Sequence, residues 1–339
     1  MGQKSRLLHA LRIYSRARGG ADRTIANRVQ LFEQLLRFLF AMGIRIHHIR
    51  QTPLWSVALF VQTRLCEGLK PGHAQNTLAA IHVILDEAGA GMVNTTCSNR
   101  ALGVPRRDRR GAHRAQTREE YEQTLERARA VDQGLAHLLE LMFFLGLRCT
   151  EALRAARELA GWLALLKAGA DRLPFQYGAK TNRYRVIEII SGLREQTIGT
   201  IESALAYCQS NNGNLITGAE EDLRTARGRM RDWFYAAGIR GVLSSHSLRY
   251  TYAVNLALAL LHEGVSPAEV LDRVSNAIGH GARAQLMLGT YMQEIQDRFT
   301  SVVIPRRKPR NPSKTVLGRH LPGPQRTIRS NRQMKFRKE

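Results

Sequence analysis

The chain has 339 residues, enough for two domains each with its own core. Lysine and arginine total 51 against 28 acidic residues, a formal net charge of +23, which points to a polyanionic partner, nucleic acid before an anionic membrane surface. No run of about 18 apolar residues is present to span a bilayer.

The start, MGQKSRLLHALRIYSRARGG, lacks the apolar core and cleavage site of a secretory signal. It also carries Arg6 where a myristoylation signal requires Ser or Thr. Residues 24–40 then place Ile25, Val29, Phe32, Leu36 and Leu39 at helical spacing, with Asp22 or Thr24 able to cap. Helical patterns follow over 53–67 and, after the breaker LKPG, over 73–88. No strand alternation interrupts them, so 1–97 reads as a helical domain. Residues 98–116 are rich in arginine, including Arg106, Arg107, Arg109 and Arg110, and poor in apolar periodicity. That composition predicts an exposed basic linker. Four cysteines, Cys66, Cys97, Cys149 and Cys208, are scattered without CxxC spacing. A reduced, cytoplasmic setting without disulfides or structural zinc is expected.

A second domain is predicted over 117–304. Thr117 and Glu120 form the S/T-x-x-E capping box of its first helix, and helical patterns continue over 135–147 and 150–169. The stretch FQYGAKTNRYRVIEII sets β-branched and aromatic residues on either side of a polar tip, which reads as a hairpin. Helices resume at 196–209 and 220–237, then in the apolar run YTYAVNLALALL. Ser266-Pro-Ala-Glu269 offers another capping box, with proline at the first helical position. Helical character extends to about residue 299. From 305 to 339 the chain has twelve basic residues against one acid, the composition of a disordered basic arm.

Three stretches place polar groups where they need a partner. HSLRYTYA puts His246 and Arg249 three apart on the first turn of a helix that Ser244 or Ser245 can cap. A helix start favours an anion, so this is either a phosphate site or a surface His and Arg. GLRCTEAL brings Arg148 out of the apolar run LLELMFFLGL; it must pair, with Glu151 three residues on, or hold a ligand. AIGHGARAQLMLGTYM adds His280 between two glycines and Tyr291.

In order, GLRCTE, AKTNRYRV, HSLRYTYA, AIGH and TYM resemble the motifs of the tyrosine recombinases, or phage-type integrases. The resemblance spans about 117–300, and the helical domain before it is similar to the family's core-binding domain. It implies a mainly α fold with a small β-hairpin or sheet: a helical core-binding domain plus a mixed α/β catalytic domain. It implies a catalytic set of Arg148, Lys180, His246, Arg249, His280 and Tyr291, with Glu151 as an orienting acid. Lys180 is preferred to Lys167 because it stands at the hairpin tip. Tyr250 stands where a His is common, and Ile278 replaces the usual Leu.

The implied chemistry is a transesterification. Tyr291 attacks the scissile phosphate, giving a 3′-phosphotyrosyl link and a free 5′-hydroxyl. A phenol of ordinary pKa about 10 needs help to lose its proton. The two arginines bind non-bridging oxygens and His280 adds a further hydrogen bond there. Lys180 protonates the leaving oxygen, while His246 manages a proton near the tyrosine. No cofactor or metal is called for, since no GxxxxGK[ST] loop or HExxH is present. The implied partners are double-stranded DNA and further copies of the chain, as a dimer or tetramer on DNA. Arg106, Arg107, Arg109 and Arg110 would contact phosphates. Gln75 and Asn76 are candidates for reading adenine edges, against the alternative of a solvated helix end. A type IB topoisomerase, or a DNA-binding protein that keeps the fold without cutting, remains open on sequence alone.

Overall fold

The computed structural model describes residues 3–91, 93–107, 113–175, 184–216, 222–281 and 283–303. They fall into two compact units, within 1–110 and 111–339.

The first unit is helical: α1 (Gln3–Ala17), α2 (Asp22–Ala41), α3 (Leu54–Cys66), α4 (Pro71–Glu87) and the short α5 (Val93–Thr96). The first of these was absent from the sequence-based elements. It forms because Leu7 and Leu11, one turn apart, close over Phe32, Leu35 and Leu39 of α2 and Leu78 and Ile81 of α4. α2 begins without a side-chain cap from Asp22 or Thr24; its cap position is Ala21. Asp22 instead lies in the first turn, where its charge suits the positive end of the helix. Pro71 opens α4 at a position whose N–H has no helical partner.

The stretch expected as an exposed linker is anchored at its described ends. Leu102 and Val104 are buried in the first core, and Gln62 Nε2 donates to the Leu102 carbonyl at 2.5 Å. In the second unit, Ala115 is buried, its N–H donates to Glu294 at 2.9 Å, and the Gln116 N–H donates to Thr251 Oγ1 at 2.8 Å. The few small and apolar residues between the arginines are enough to tie the chain down. Arg109 and Arg110 lie outside the described residues, as does the segment 304–339.

The second unit starts with α6 (Arg118–Val131), and its capping box is formed: Glu120 N–H donates to Thr117 Oγ1 at 3.2 Å and Thr117 N–H to Glu120 Oε2 at 3.0 Å. α7 (Gln133–Leu145) is apolar around most of its circumference and correspondingly buried. α6, α10 (Arg194–Ser210) and α12 (Ser245–His262) pack around it. The single helix expected over 150–169 is divided into α8 (Cys149–Ala152), a 3-10 turn Ala155–Arg157 and α9 (Leu159–Lys167).

β1 (Arg172–Phe175) pairs antiparallel with β2 (Arg185–Glu188), Leu173 opposite Ile187 and Phe175 opposite Arg185. The tip of this hairpin, with Lys180, lies outside the described residues. α11 (Leu223–Ala236), α12 and α13 (Pro267–Ala277) follow. Ser266 caps α13 by accepting from the Glu269 N–H at 3.4 Å, with Pro267 at the first position. Beyond it the helical character breaks into single turns: α14 (Ala284–Leu286), a π turn Met287–Tyr291 and a 3-10 stretch Gln293–Phe299. Among the described residues no helix is long and apolar enough to cross a membrane.

Candidate active site

Gly146 ends α7 in the left-handed region, φ 58°, where glycine carries no side-chain penalty. A Cβ there would lie 2.3 Å from the Tyr252 ring, so glycine is required by space as well. This turn carries the chain from the buried helix into Arg148, the cap residue of α8. Glu151 closes the turn: Oε2 accepts the Arg148 N–H at 2.8 Å and Oε1 the Arg148 guanidinium Nη1 at 2.5 Å. The spacing of three in GLRCTE thus folds the carboxylate back onto its own arginine.

Arg249 arrives from the second turn of α12, one turn past its start at Ser245, and is fully buried. Its Nη1 donates to the Gly146 carbonyl at 2.5 Å, its Nη2 to the Ile278 carbonyl, and Nη1 lies 3.7 Å from Glu151 Oε2. Arg148 Nη2 reaches the same Ile278 carbonyl at 3.4 Å. Both arginines therefore gather at Glu151 and at the turn leading into His280.

Gly279, φ 66°, makes that turn, and a Cβ on it would stand 3.1 Å from Arg185 Cδ and 3.8 Å from Arg148 Nη1. His280 follows, and its Nε2 is 2.9 Å from the Tyr291 hydroxyl. Tyr291 ends the π turn, a rare distortion found often at functional positions. The His246 ring lies edge-on to it, 6.1 Å between centroids, and the Tyr250 ring 4.5 Å away. The sequence reading put His246 beside the tyrosine as proton manager and aimed His280 at the phosphate. The imidazole in hydrogen-bond contact with Tyr291 is His280.

The site is electropositive and partly dry. Burial, then Arg249, His113 and Arg148, push His246 down to about 4. Burial, then Arg249 and Arg148, push His280 down to about 3. Both rings are therefore neutral near neutral pH, and the Tyr291 hydroxyl can donate to an unprotonated Nε2. For Glu151, burial opposes ionisation, but Arg185, Arg249 and Arg148 outweigh it and hold the carboxyl below its ordinary range.

Ser244 occupies the cap position of α12 without capping it; its hydroxyl lies 3.2 Å from His113 Nδ1. His113 sets its ring 5.4 Å from that of His246 and 5.9 Å from that of Tyr250. It belonged to the expected linker, and nothing in its sequence neighbourhood marks it. Arg185 was also missed: it is buried on β2, with Nη2 3.1 Å from Glu151 Oε2 and Nη1 donating to the Ala277 carbonyl at 3.0 Å. Alternation was the available signal, because Arg185 shares its strand face with the fully buried Ile187. Lys167, the rival to Lys180, pairs with Glu202 at 2.6 Å on an exposed part of α9.

In the first unit, Gln75 Nε2 donates to the Pro105 carbonyl at 2.8 Å, which engages the amide offered for base reading. Asn76, Arg106 and Arg107 are exposed, and the Arg107 stem passes over Gly72, where a Cβ would lie 2.7 Å from its Cδ. Among the described residues no three His, Cys, Asp or Glu side chains gather as a metal site.

Residues 103–255 match the family described as Integrase, and residues 4–93 match that described as Phage integrase, N-terminal. The first match contains Arg148, Glu151, His246 and Arg249; His280 and Tyr291 lie past its end. No curated protein matches the chain. Among solved structures, a lambda integrase tetramer bound to a Holliday junction is 16% identical at a TM-score of 0.54, covering 83% of this chain and 76% of that one. A lambda integrase dimer bound to a COC′ core site is 16% identical at 0.53, covering 88% and 80%. A lambda integrase fragment bound to DNA is 18% identical at 0.52, covering 88% and 100%. These likenesses carry the two-unit fold. The two family matches together take in most of the chain, each on one unit, and this protein belongs to the phage integrase family, the tyrosine recombinases.

Proposed function

We propose that Tyr291 is the nucleophile of this recombinase, acting on double-stranded DNA as part of a dimer or tetramer, and that the protein serves a mobile element in the bacterial cytoplasm. The observation that carries this reading is the Tyr291 hydroxyl 2.9 Å from a neutral His280, beside two arginines drawn together by Glu151. The phenolic oxygen attacks phosphorus and forms the P–O bond; its proton passes to His280 Nε2. The bond to the 5′-oxygen breaks, and that oxygen takes a proton from Lys180, the group the family resemblance assigns. Attack adds negative charge to the non-bridging oxygens, and Arg148 and Arg249 stabilise it through planar, preorganised forks. The ester conserves the bond energy, so a 5′-hydroxyl from another strand reverses the step without ATP.

Proton transfer to His280 is helped by the same charge. Burial is the main cause of the lowered pKa of His280; a phosphate between the arginines offsets the part that Arg249 and Arg148 add, so the imidazole becomes a better base once DNA is bound. DNA contacts elsewhere are mostly to phosphates and weaken steeply with salt. The supporting experiment uses a nicked duplex made from the DNA flanking the protein's own gene. Wild type gives a denaturation-resistant adduct mapped to Tyr291, and Tyr291→Phe gives none. An adduct persisting in Tyr291→Phe removes the assignment. Relaxation of supercoiled DNA without exchange products would identify a topoisomerase instead.

A further inference from the structure

The site holds more positive charge than Arg148 and Arg249 supply. Arg185, within the AKTNRYRV stretch but not among the residues the family resemblance assigns to the site, projects from β2 with its side chain 5% exposed. Among the described residues Glu151 is the one carboxylate within ion-pair distance of Arg148, Arg185 or Arg249, at 2.5, 3.1 and 3.7 Å. A single carboxylate facing three guanidiniums leaves the cluster with excess positive charge in a buried place. The Nη2 contact of Arg185 to Glu151 lacks hydrogen-bond alignment, and its Nε, like that of Arg249, has no hydrogen-bond partner. Such an arrangement is costly in a free protein unless an anion is to be accommodated.

Arg185 is also placed to transmit position. Its Nη1 holds the Ala277 carbonyl, next to the Ile278 carbonyl that Arg148 and Arg249 hold. Three residues along the same strand, Glu188 takes Arg273 of α13 at 2.8 and 3.0 Å, and its carbonyl accepts from Tyr252 of α12 at 2.6 Å. β2 is thereby clamped along α13, and α13 ends in the turn that presents His280. The Phe175 ring lies under the Arg185 guanidinium at 5.2 Å, so the group is fixed from below as well.

We propose that Arg185 is a third guanidinium of the site, a positioning residue. It holds Glu151 and the Ala277 carbonyl so that Arg148 and Arg249 keep their charge for the scissile phosphate and His280 keeps its place at Tyr291. Without it, Glu151 turns wholly to the other two arginines and quenches the charge meant for the transition state. The inference rests on the transesterification reading above.

The test compares full-length wild type, Arg185→Met and Arg185→Lys on the same nicked duplex. Methionine keeps much of the stem and removes the charge, and Glu151 still has two partners, so the melting midpoint of Arg185→Met equals or exceeds that of wild type. Its rate of adduct formation at saturating DNA falls about 100-fold, the scale of losing one fixed donor. Half-saturation by DNA changes less than about threefold, because most phosphate contacts lie elsewhere. Lysine recovers about tenfold of the lost rate by restoring charge without the fork. Inorganic phosphate, a probe independent of cleavage, raises the wild-type melting midpoint more than that of Arg185→Met. Wild-type rates in Arg185→Met overturn the proposal, as does equal recovery by methionine and lysine. An absence of adduct in wild type removes the transesterification reading itself, a result distinct from a normal wild type beside a normal variant.

Discussion

Glutamine in place of Glu151 keeps the shape of the side chain and removes the counter-charge to three guanidiniums. In the wild type, Glu151 Oε1 holds Arg148 Nη1 at 2.5 Å, while Oε2 faces Arg185 at 3.1 Å and Arg249 at 3.7 Å and accepts the Arg148 N–H at 2.8 Å. The amide oxygen can replace only part of this, and the amide nitrogen turns a donor toward cations. Glu151, Arg185 and Arg249 are all buried, so water cannot make up the difference. Removing the one carboxylate leaves three cations uncompensated, a loss that costs about 3–5 kcal/mol. For a unit of this size each kcal/mol lowers the melting midpoint by about 2–4 °C, so a fall of about 10 °C is expected. Calorimetry of the full chain measures it. The double variant Glu151→Gln/Arg185→Met, which removes one of the stranded charges, melts above Glu151→Gln by more than Arg185→Met alone melts above wild type, a coupling that additive effects would not produce. A Glu151→Gln protein within about 1 kcal/mol of wild type would refute the view that this carboxylate holds the cluster together.

Two further outcomes follow from the same geometry. His246 and His280, lowered to about 4 and about 3, stay neutral in the folded chain while the unfolded chain takes up protons below the ordinary histidine value near 6.5. Stability is therefore full above pH about 6.5 and declines below it, by on the order of 1–2 kcal/mol per ring at pH 5. Melting midpoints at pH 7 and 5 check this, and His246→Gln/His280→Gln flattens the dependence. Gly146→Ala meets a left-handed backbone and the Tyr252 ring at 2.3 Å. The backbone costs about 1 kcal/mol and the overlap about 1–3 more, and adduct formation falls because the Gly146 carbonyl seats Arg249. Gly264→Ala, with φ 80° and open space around its Cβ, should show the backbone cost alone in chemical denaturation.

What sequence alone decided here is what short-range chemistry decides. The capping box at Thr117 and Glu120, the cap of α13 by Ser266 with Pro267 behind it and the order of the five motifs depend on local residue types, whose geometry the backbone dictates. The GLR-x-x-E spacing already offers Glu151 as a partner for Arg148. What the tertiary structure decided is which distant groups share a partner. Arg185 is separated from Glu151 by a 3-10 turn, α9 and β1. Strand alternation sets it on one face with Ile187, but which groups it meets there is decided only by the packing of α13 on β2. His113 stands in an arginine-rich stretch of sequence and takes its place by Ser244 only because the chain is anchored at Ala115 and Gln116. The choice of His280 as the ring bonded to Tyr291 depends on the π turn that aims the phenol, a distortion of one turn invisible to residue spacing. Local patterns specify where a side chain leaves the backbone; only packing between segments determines which charges and rings confront one another and how far each pKa moves.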